Sequence, residues 1–296
     1  MVLRDNLLMA GLVHRDFEKD LAVAGDTVRT RKPQKLTARS FSQQSATNAT
    51  LANMTVQNLS SLEVTVVLDQ HYYTAFLVED RDASTSIKDL AAEFVVPAID
   101  PLSDQLDGSL MTEFTTGTDF NGDTVTAVAS STVGLGSALT EDDIIAGHKA
   151  MNDNQCPPGG RNLVMSSDHD ADILGRSLFH QANTAGWTRA LRDAVIGKAF
   201  GFMTYMSQNV PTASDTDSTP QSLGFHRNAI ALVTRPLRGP DQYPGIGAIS
   251  AFRTLDNISI RVTTSYEHTA KGVIQSYDVL WGVSLLDANL ATILNP

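Results

Sequence analysis

The densest run of potential chemistry in the chain is Ser166-Ser167-Asp168-His169-Asp170-Ala171-Asp172, which gathers three carboxylates and an imidazole. Oxygen and imidazole donors of this kind serve divalent metals and general acid–base work. At a helix start, however, Asp168 and Asp172 share a face while His169 and Asp170 point elsewhere, so the donors diverge. Acidic residues at the positive end of a helix dipole also need no metal to explain them. Asp215-Thr216-Asp217-Ser218-Thr219 has the residue types of a phosphotransfer loop, but no apolar strand precedes it to hold a nucleophile, and it reads as solvated linker. Gly134-Leu135-Gly136 and Gly245-Ile246-Gly247 lack the third glycine and the strand-then-helix setting of a dinucleotide site, and read as turns. No phosphate loop, nucleophile elbow or paired-histidine zinc helix is present in the sequence. His14, His71, His148, His169, His180, His226 and His268 are scattered, and Trp187 and Trp281 read as core or interface anchors. No residue is therefore assigned to catalysis, to a cofactor or to a metal.

Composition narrows the function classes further. The 296 residues are 42% apolar and carry a formal net charge of −11. Single cores stop growing at roughly 250–300 residues, so one large core or two lobes sharing a boundary is expected. An acidic chain is a poor candidate for gripping nucleic acid, which needs clustered Lys and Arg. Cys156 is the only cysteine, which rules out an intrachain disulfide and a Cys-rich metal site, and a reducing compartment fits. The apolar start around Leu7, Leu8, Leu12 and Val13 is interrupted by His14-Arg15-Asp16 and Glu18-Lys19-Asp20, so it is not read as a secretion signal. No uncharged apolar run of about 18 residues is present, and no membrane span is expected.

The elements that would have to position any site come next. Residues 1–20 read as a short amphipathic helix, with Leu3, Leu7, Leu8, Leu12 and Val13 at roughly helical spacing. It has too little apolar surface to stand alone. After the Gly25-Asp26 turn, residues 27–33 alternate and carry Arg29, Arg31 and Lys32, as a strand leaving the body would. Residues 34–61 are almost all Gln, Ser, Thr, Asn and Ala, with Lys35 and Arg39 as the charges and few large anchors such as Phe41. Residues 63–69 and 72–78 are then rich in β-branched and aromatic types, as strands are. Strand, polar excursion and strand together predict a protruding hairpin. An excursion of this length is either a floppy loop or an arm that gains order on a neighbouring subunit.

Ile87, Leu90, Ala91, Phe94, Ala98, Leu102, Leu106 and Leu110 recur every three or four residues after a capping-box-like start at Ser86, and predict a long helix with one apolar stripe. Pro97 and Pro101 inside it predict a bend or break. Residues 115–139 read as a connection with short strands. Thr140, followed by Glu141, Asp142 and Asp143, is a helix start, and that helix ends before Cys156-Pro157-Pro158. Residues 161–166 form a short buried strand, and Ser167 or Asp168 caps the next helix. From Phe225 onward, a helix or strand at 228–233 and strands at 258–264 and 279–286 are expected to close the first lobe's sheet.

The order of these pieces resembles the major capsid proteins of tailed bacteriophages, in the branch typified by short-tailed phages of enteric bacteria. Five segments carry the likeness: Ala24-Gly25-Asp26-Thr27-Val28 with the basic residues and Pro33; 98–107 in the long helix; 154–166; Leu191-Arg192-Asp193-Ala194-Val195-Ile196-Gly197-Lys198-Ala199-Phe200-Gly201-Phe202 with Val210-Pro211; and Tyr277-Asp278-Val279-Leu280-Trp281-Gly282-Val283. Ala194 stands where that family commonly has another glycine. The resemblance implies an α+β tailed-phage capsid fold, shared with the herpesvirus capsid floor. Its parts would be an N-terminal arm (1–27), an extended β-hairpin loop (28–80), a peripheral domain with a spine helix (81–129), an axial domain (130–225), and peripheral and closing strands (226–296).

It further implies self-assembly of pentamers and hexamers into an icosahedral shell around packaged double-stranded DNA that is not specifically bound. Scaffolding, portal and cement proteins would be partners, and the place would be the virion, assembled in the host bacterial cytoplasm. No enzymatic role follows. Arg29, Arg31, Lys32, Lys35, Arg39, Phe41, Leu7, Leu8 and Leu12 are the expected subunit-interface residues. Two other readings fit the sequence: a soluble α/β enzyme with a lid at 34–61 and Asp168 or His169 near its site, and a nonviral compartment shell of the same fold.

Overall fold

The structure is a computed structural model that describes residues 7–15, 27–33, 36, 38, 61–85, 90–119, 122–129, 138–176, 197–211, 221–235, 237–239, 249–255 and 258–295. A short helix, α1 (Met9–Leu12), opens the described chain, and an antiparallel hairpin follows from β1 (Thr27–Pro33) and β2 (Ser61–Val67), in register from Thr27↔Val67 to Pro33↔Ser61. The predicted pairing of the two strands is therefore present, with residues 40–60 outside the described part. The chain continues as β3 (Gln70–Glu79), α2 (Asp80–Thr85) and a 27-residue helix, α3 (Leu90–Thr116).

α3 corrects one expectation. It runs unbroken through Pro97 and Pro101. Both prolines are exposed and lie one turn apart on a single face, so the carbonyls they leave without donors, those of Glu93 and Pro97, belong to the solvent side of the helix. The opposite face buries Ala98, Leu102, Leu106, Leu110, Met111 and Phe114, and that burial holds the helix together where propensity would end it.

Two sheets flank this helix. One takes the order β10-β11-β12-β3, from β10 (Ile249–Leu255), β11 (Ile258–Glu267) and β12 (Gly272–Leu285), and β9 (Ile230–Arg235) pairs with the end of β12. The C-terminal part thus closes the first sheet, as expected. The other sheet has six strands in the order β4-β13-β8-β5-β7-β6: β4 (Thr126–Ala129), β5 (Arg161–Met165), β6 (Lys198–Ala199), β7 (Phe202–Met206), β8 (Ser222–His226) and β13 (Ala291–Asn295). β4 and β13 join this sheet from outside residues 130–225, because β13 pairs with both β4 and β8.

α4 (Glu141–Asp153) begins where Thr140 predicted, with a complete capping box: Thr140 Oγ1 accepts from Asp143 N, and Asp143 Oδ2 accepts from Thr140 N at 2.9 Å. α5 (Ser167–Leu174) is capped one residue earlier than expected. Ser166 leaves β5 in extended conformation, so its Oγ already accepts from His169 N, and Ser167 is the first helical residue. The main core joins α1, α3, β9, β11 and β12 to Val164, Leu223, Phe225 and Ile293 of the six-stranded sheet, and a second core packs that sheet against α4 and α5.

Candidate assembly surface

The foot of the hairpin is where it meets the body. Val66 is fully buried, and with Leu68 it packs on Ala231 and Val233 of β9 and against Leu280 and Leu286. Val67, between these two, is exposed, as strand alternation requires. A Cβ on Gly282 would overlap the Val67 carbonyl, so β12 passes this crossing only because position 282 has no side chain. Beyond the foot, the register sets Arg31 across from Glu63, Arg29 across from Thr65 and Lys32 across from Leu62. Lys35, Arg39 and Phe41 lie outside the described residues.

The outward face of the five-stranded sheet is the second part of the surface. Phe76 stacks on Tyr277 and tilts against Phe94 of α3, which identifies the inner face. His71, Tyr73, Ala75 and Leu77 therefore point away from the helix, and Tyr73 is 69% exposed. Tyr73 faces Asp278, which faces Arg261, which faces Phe252, so two exposed rings flank an ion pair across four strands. Arg261 reaches Asp278 Oδ2 at 3.1 Å, and His71 Nε2 lies 3.5 Å from Oδ1. Aromatic rings around an arginine on a sheet face match the composition of protein–protein contact centres.

The leading segment, read from the sequence as a short helix with too little apolar surface to stand alone, finds support on its own chain. Residues 7–14 dock on their own chain. Met9, Ala10 and Val13 are buried in the main core, and Leu7, Leu8 and Leu12 pack half-buried against it. Asp107 of α3 accepts from Leu8 N at 2.9 Å and Met9 N at 3.3 Å. His14 bridges Ala231, donating its N–H to Ile230 O and accepting at its carbonyl from Leu232 N, which covers the edge of β9.

The candidate chemistry resolves into packing. His169 is buried beneath β8, with Nδ1 hydrogen-bonded to Ser222 Oγ at 2.7 Å, and burial lowers its pKa below the ordinary histidine value, against the pull of Asp172, Asp168 and Asp143. Ser222 is equally buried, so no substrate reaches the pair. Asp172 is spent on Leu139 N. Burial raises the Cys156 thiol above its usual range, which keeps it protonated and inert. Arg161 is buried too, and its guanidinium ties Pro157 O, Asn152 Oδ1 and Cys156 O into the proline turn. No group of His, Cys, Asp or Glu among the described residues could hold a metal ion, and no described helix is long and apolar enough to cross a membrane. Asp215, Asp217 and both glycine pairs lie outside the described residues.

No family model and no curated protein matches the sequence. Solved structures do match. The structure of Mycobacterium phage Che8 superposes with a TM-score of 0.71 at 19% identity, over 98% of this chain and 91% of that one. A capsid of a native GTA particle gives 0.66 at 12% identity, over 98% and 90%. The capsid of cyanophage P-SCSP1u gives 0.63 at 13% identity, over 92% and 84%. The chain has the tailed-phage capsid fold.

Two residues that this packing uses, Gly282 and Asp107, lie inside the quoted segments but were given no role there, and each left a signal. Gly282 is an isolated glycine between Trp281 and Val283 inside a strand, a usual mark of close backbone approach. Asp107 interrupts the apolar stripe of α3 between Leu106 and Leu110, and an acid on the buried face of a helix needs a donor from somewhere.

Proposed function

We propose that this chain is the major capsid protein of a tailed bacteriophage, a structural subunit that self-assembles as pentamers and hexamers into an icosahedral shell around packaged double-stranded DNA. The observation that carries this reading is agreement in fold with capsid structures over more than nine-tenths of the chain. On this reading the subunit sits in the virion, built in the host bacterial cytoplasm with scaffolding, portal and cement proteins as partners, and it performs no catalysis. The narrower placement, in the branch of short-tailed enteric phages, rests on the order of the five sequence segments.

Charge supports the hairpin as an intersubunit element. Residues 27–62 contain Arg29, Arg31, Lys32, Lys35 and Arg39 and no acid, so with a total of −11 the rest of the chain carries −16. A basic hairpin on an acidic body is attracted to other copies of that body. We assign it to lie across a neighbour with Phe41 in contact, and the exposed part of Leu7, Leu8 and Leu12 to meet the same or a further copy. The ranges 1–27, 28–80, 81–129, 130–225 and 226–296 serve as arm, loop, peripheral domain with spine, axial domain and closing strands. β4 and β13 are then the strands by which the peripheral part grips the axial sheet. Electron microscopy of the expressed protein, alone and with the products of neighbouring genes, tests the reading. Closed shells are expected, and a protein that stays monomeric under both conditions would overturn it.

A further inference from the structure

Asp107 lies on the buried face of α3 directly under the docked leading segment, and it is only 1% exposed. Its Oδ2 accepts from Leu8 N and Met9 N, donors at the start of α1 that have no partner within that helix. Its Oδ1 is buried with no hydrogen-bond partner among the described residues. The charged group acting on it is another acid, Asp104 of the same helix. The segment also brings His14 and Arg15, but neither acts on the Asp107 carboxyl. No cation compensates this carboxylate through a described ion pair.

A proton on Oδ1 would relieve this site, because it removes the buried charge while Oδ2 goes on accepting from the two amides. The leading segment is also part of what shuts Asp107 away from water. We propose that residues 7–14 form a proton-linked latch, in which docking over Asp107 takes up a proton and release gives it back. The latch follows from this packing alone and does not rest on the shell-building reading.

Burial, the largest cause, raises the Asp107 carboxyl from 3.8 to about 6, with Asp104 adding to the rise and the amides of Leu8, Met9 and Ala10 opposing it. A docked value above the undocked one means that the contribution is present in full below the undocked value and is lost as pH rises through the docked one. Taking an ordinary aspartate as the undocked limit, docking weakens by up to about a hundredfold between pH 4 and pH 8.

Amide hydrogen exchange of residues 8–14 in the purified full-length protein, followed from pH 5 to pH 8 after correction for intrinsic rates, reads this directly. Protection of the segment should fall about tenfold between pH 5 and pH 7 and level off above, while the amides of β5 keep theirs. Asp107→Asn, which is neutral at every pH and retains an acceptor oxygen, should abolish the dependence. Asp104→Asn leaves the seat intact and should move the midpoint to lower pH. Flat protection in the wild-type protein, an unchanged dependence in Asp107→Asn, or an unmoved midpoint in Asp104→Asn would overturn the proposal.

Discussion

Gly282 of β12 lies directly beneath the carbonyl of Val67, in the foot of the hairpin. Backbone cannot swing aside as a side chain can, so a methyl group there must push the hairpin foot off Ala231 and Val233. Gly282→Ala should destabilise the subunit by roughly 1–3 kcal/mol, the usual penalty of overpacking, and lower shell yield further because the hairpin is re-aimed. A lower urea midpoint together with weaker assembly is the expected result.

Gly108 gives the opposite result by the same test. It sits inside α3, and a Cβ there would meet nothing within 4 Å. Gly108→Ala should therefore raise stability by about 0.5–1 kcal/mol through helix propensity alone. Thermal unfolding of the two alanine variants side by side should move the midpoint in opposite directions.

Much of this architecture was legible in the sequence because it is locally encoded. The β-branched runs marked β2 and β3, the basic alternation marked β1, and Thr140 with its acids marked the start of α4. What escaped depends on partners distant in sequence. The Leu7, Leu8 and Leu12 spacing showed an apolar face but not that α3 and β9 would receive it, since the decisive acceptor lies 99 positions away. Pro97 and Pro101 read as breakers because the compensating burial of Leu102, Leu106 and Leu110 is tertiary. The run around His169 has residue types that could do chemistry, and only the fold shows that Ser222 closes over the imidazole.

The Thr140 capping box should be worth about 1 kcal/mol. Thr140→Ala removes the acceptor for Asp143 N and leaves the Asp143 carboxylate buried with one partner fewer. Chemical denaturation should show that loss, and Thr140→Ser should restore most of it.

His169 predicts an acid-side loss of stability. Burial holds its pKa below the ordinary 6.5, so its contribution is present above that value and is lost as pH falls below it. His169→Asn can keep the hydrogen bond to Ser222 without titrating. Unfolding midpoints at pH 8 and pH 5 should differ less in the variant than in the wild-type protein.

If the basic hairpin meets acidic neighbours, assembly should be sensitive to salt. Replacing Arg29, Arg31 and Lys32 by Gln should slow assembly at low ionic strength and flatten its salt dependence, as light scattering would show. The circular dichroism spectrum should not change.

Sedimentation velocity on the full chain and on a chain lacking residues 36–60 tests the central claim most directly. The full chain should sediment as large closed particles under conditions in which the shortened chain remains a folded monomer or small oligomer with an unchanged unfolding midpoint. A shortened chain that forms the same particles, or a full chain that never leaves the monomer boundary, would contradict the account.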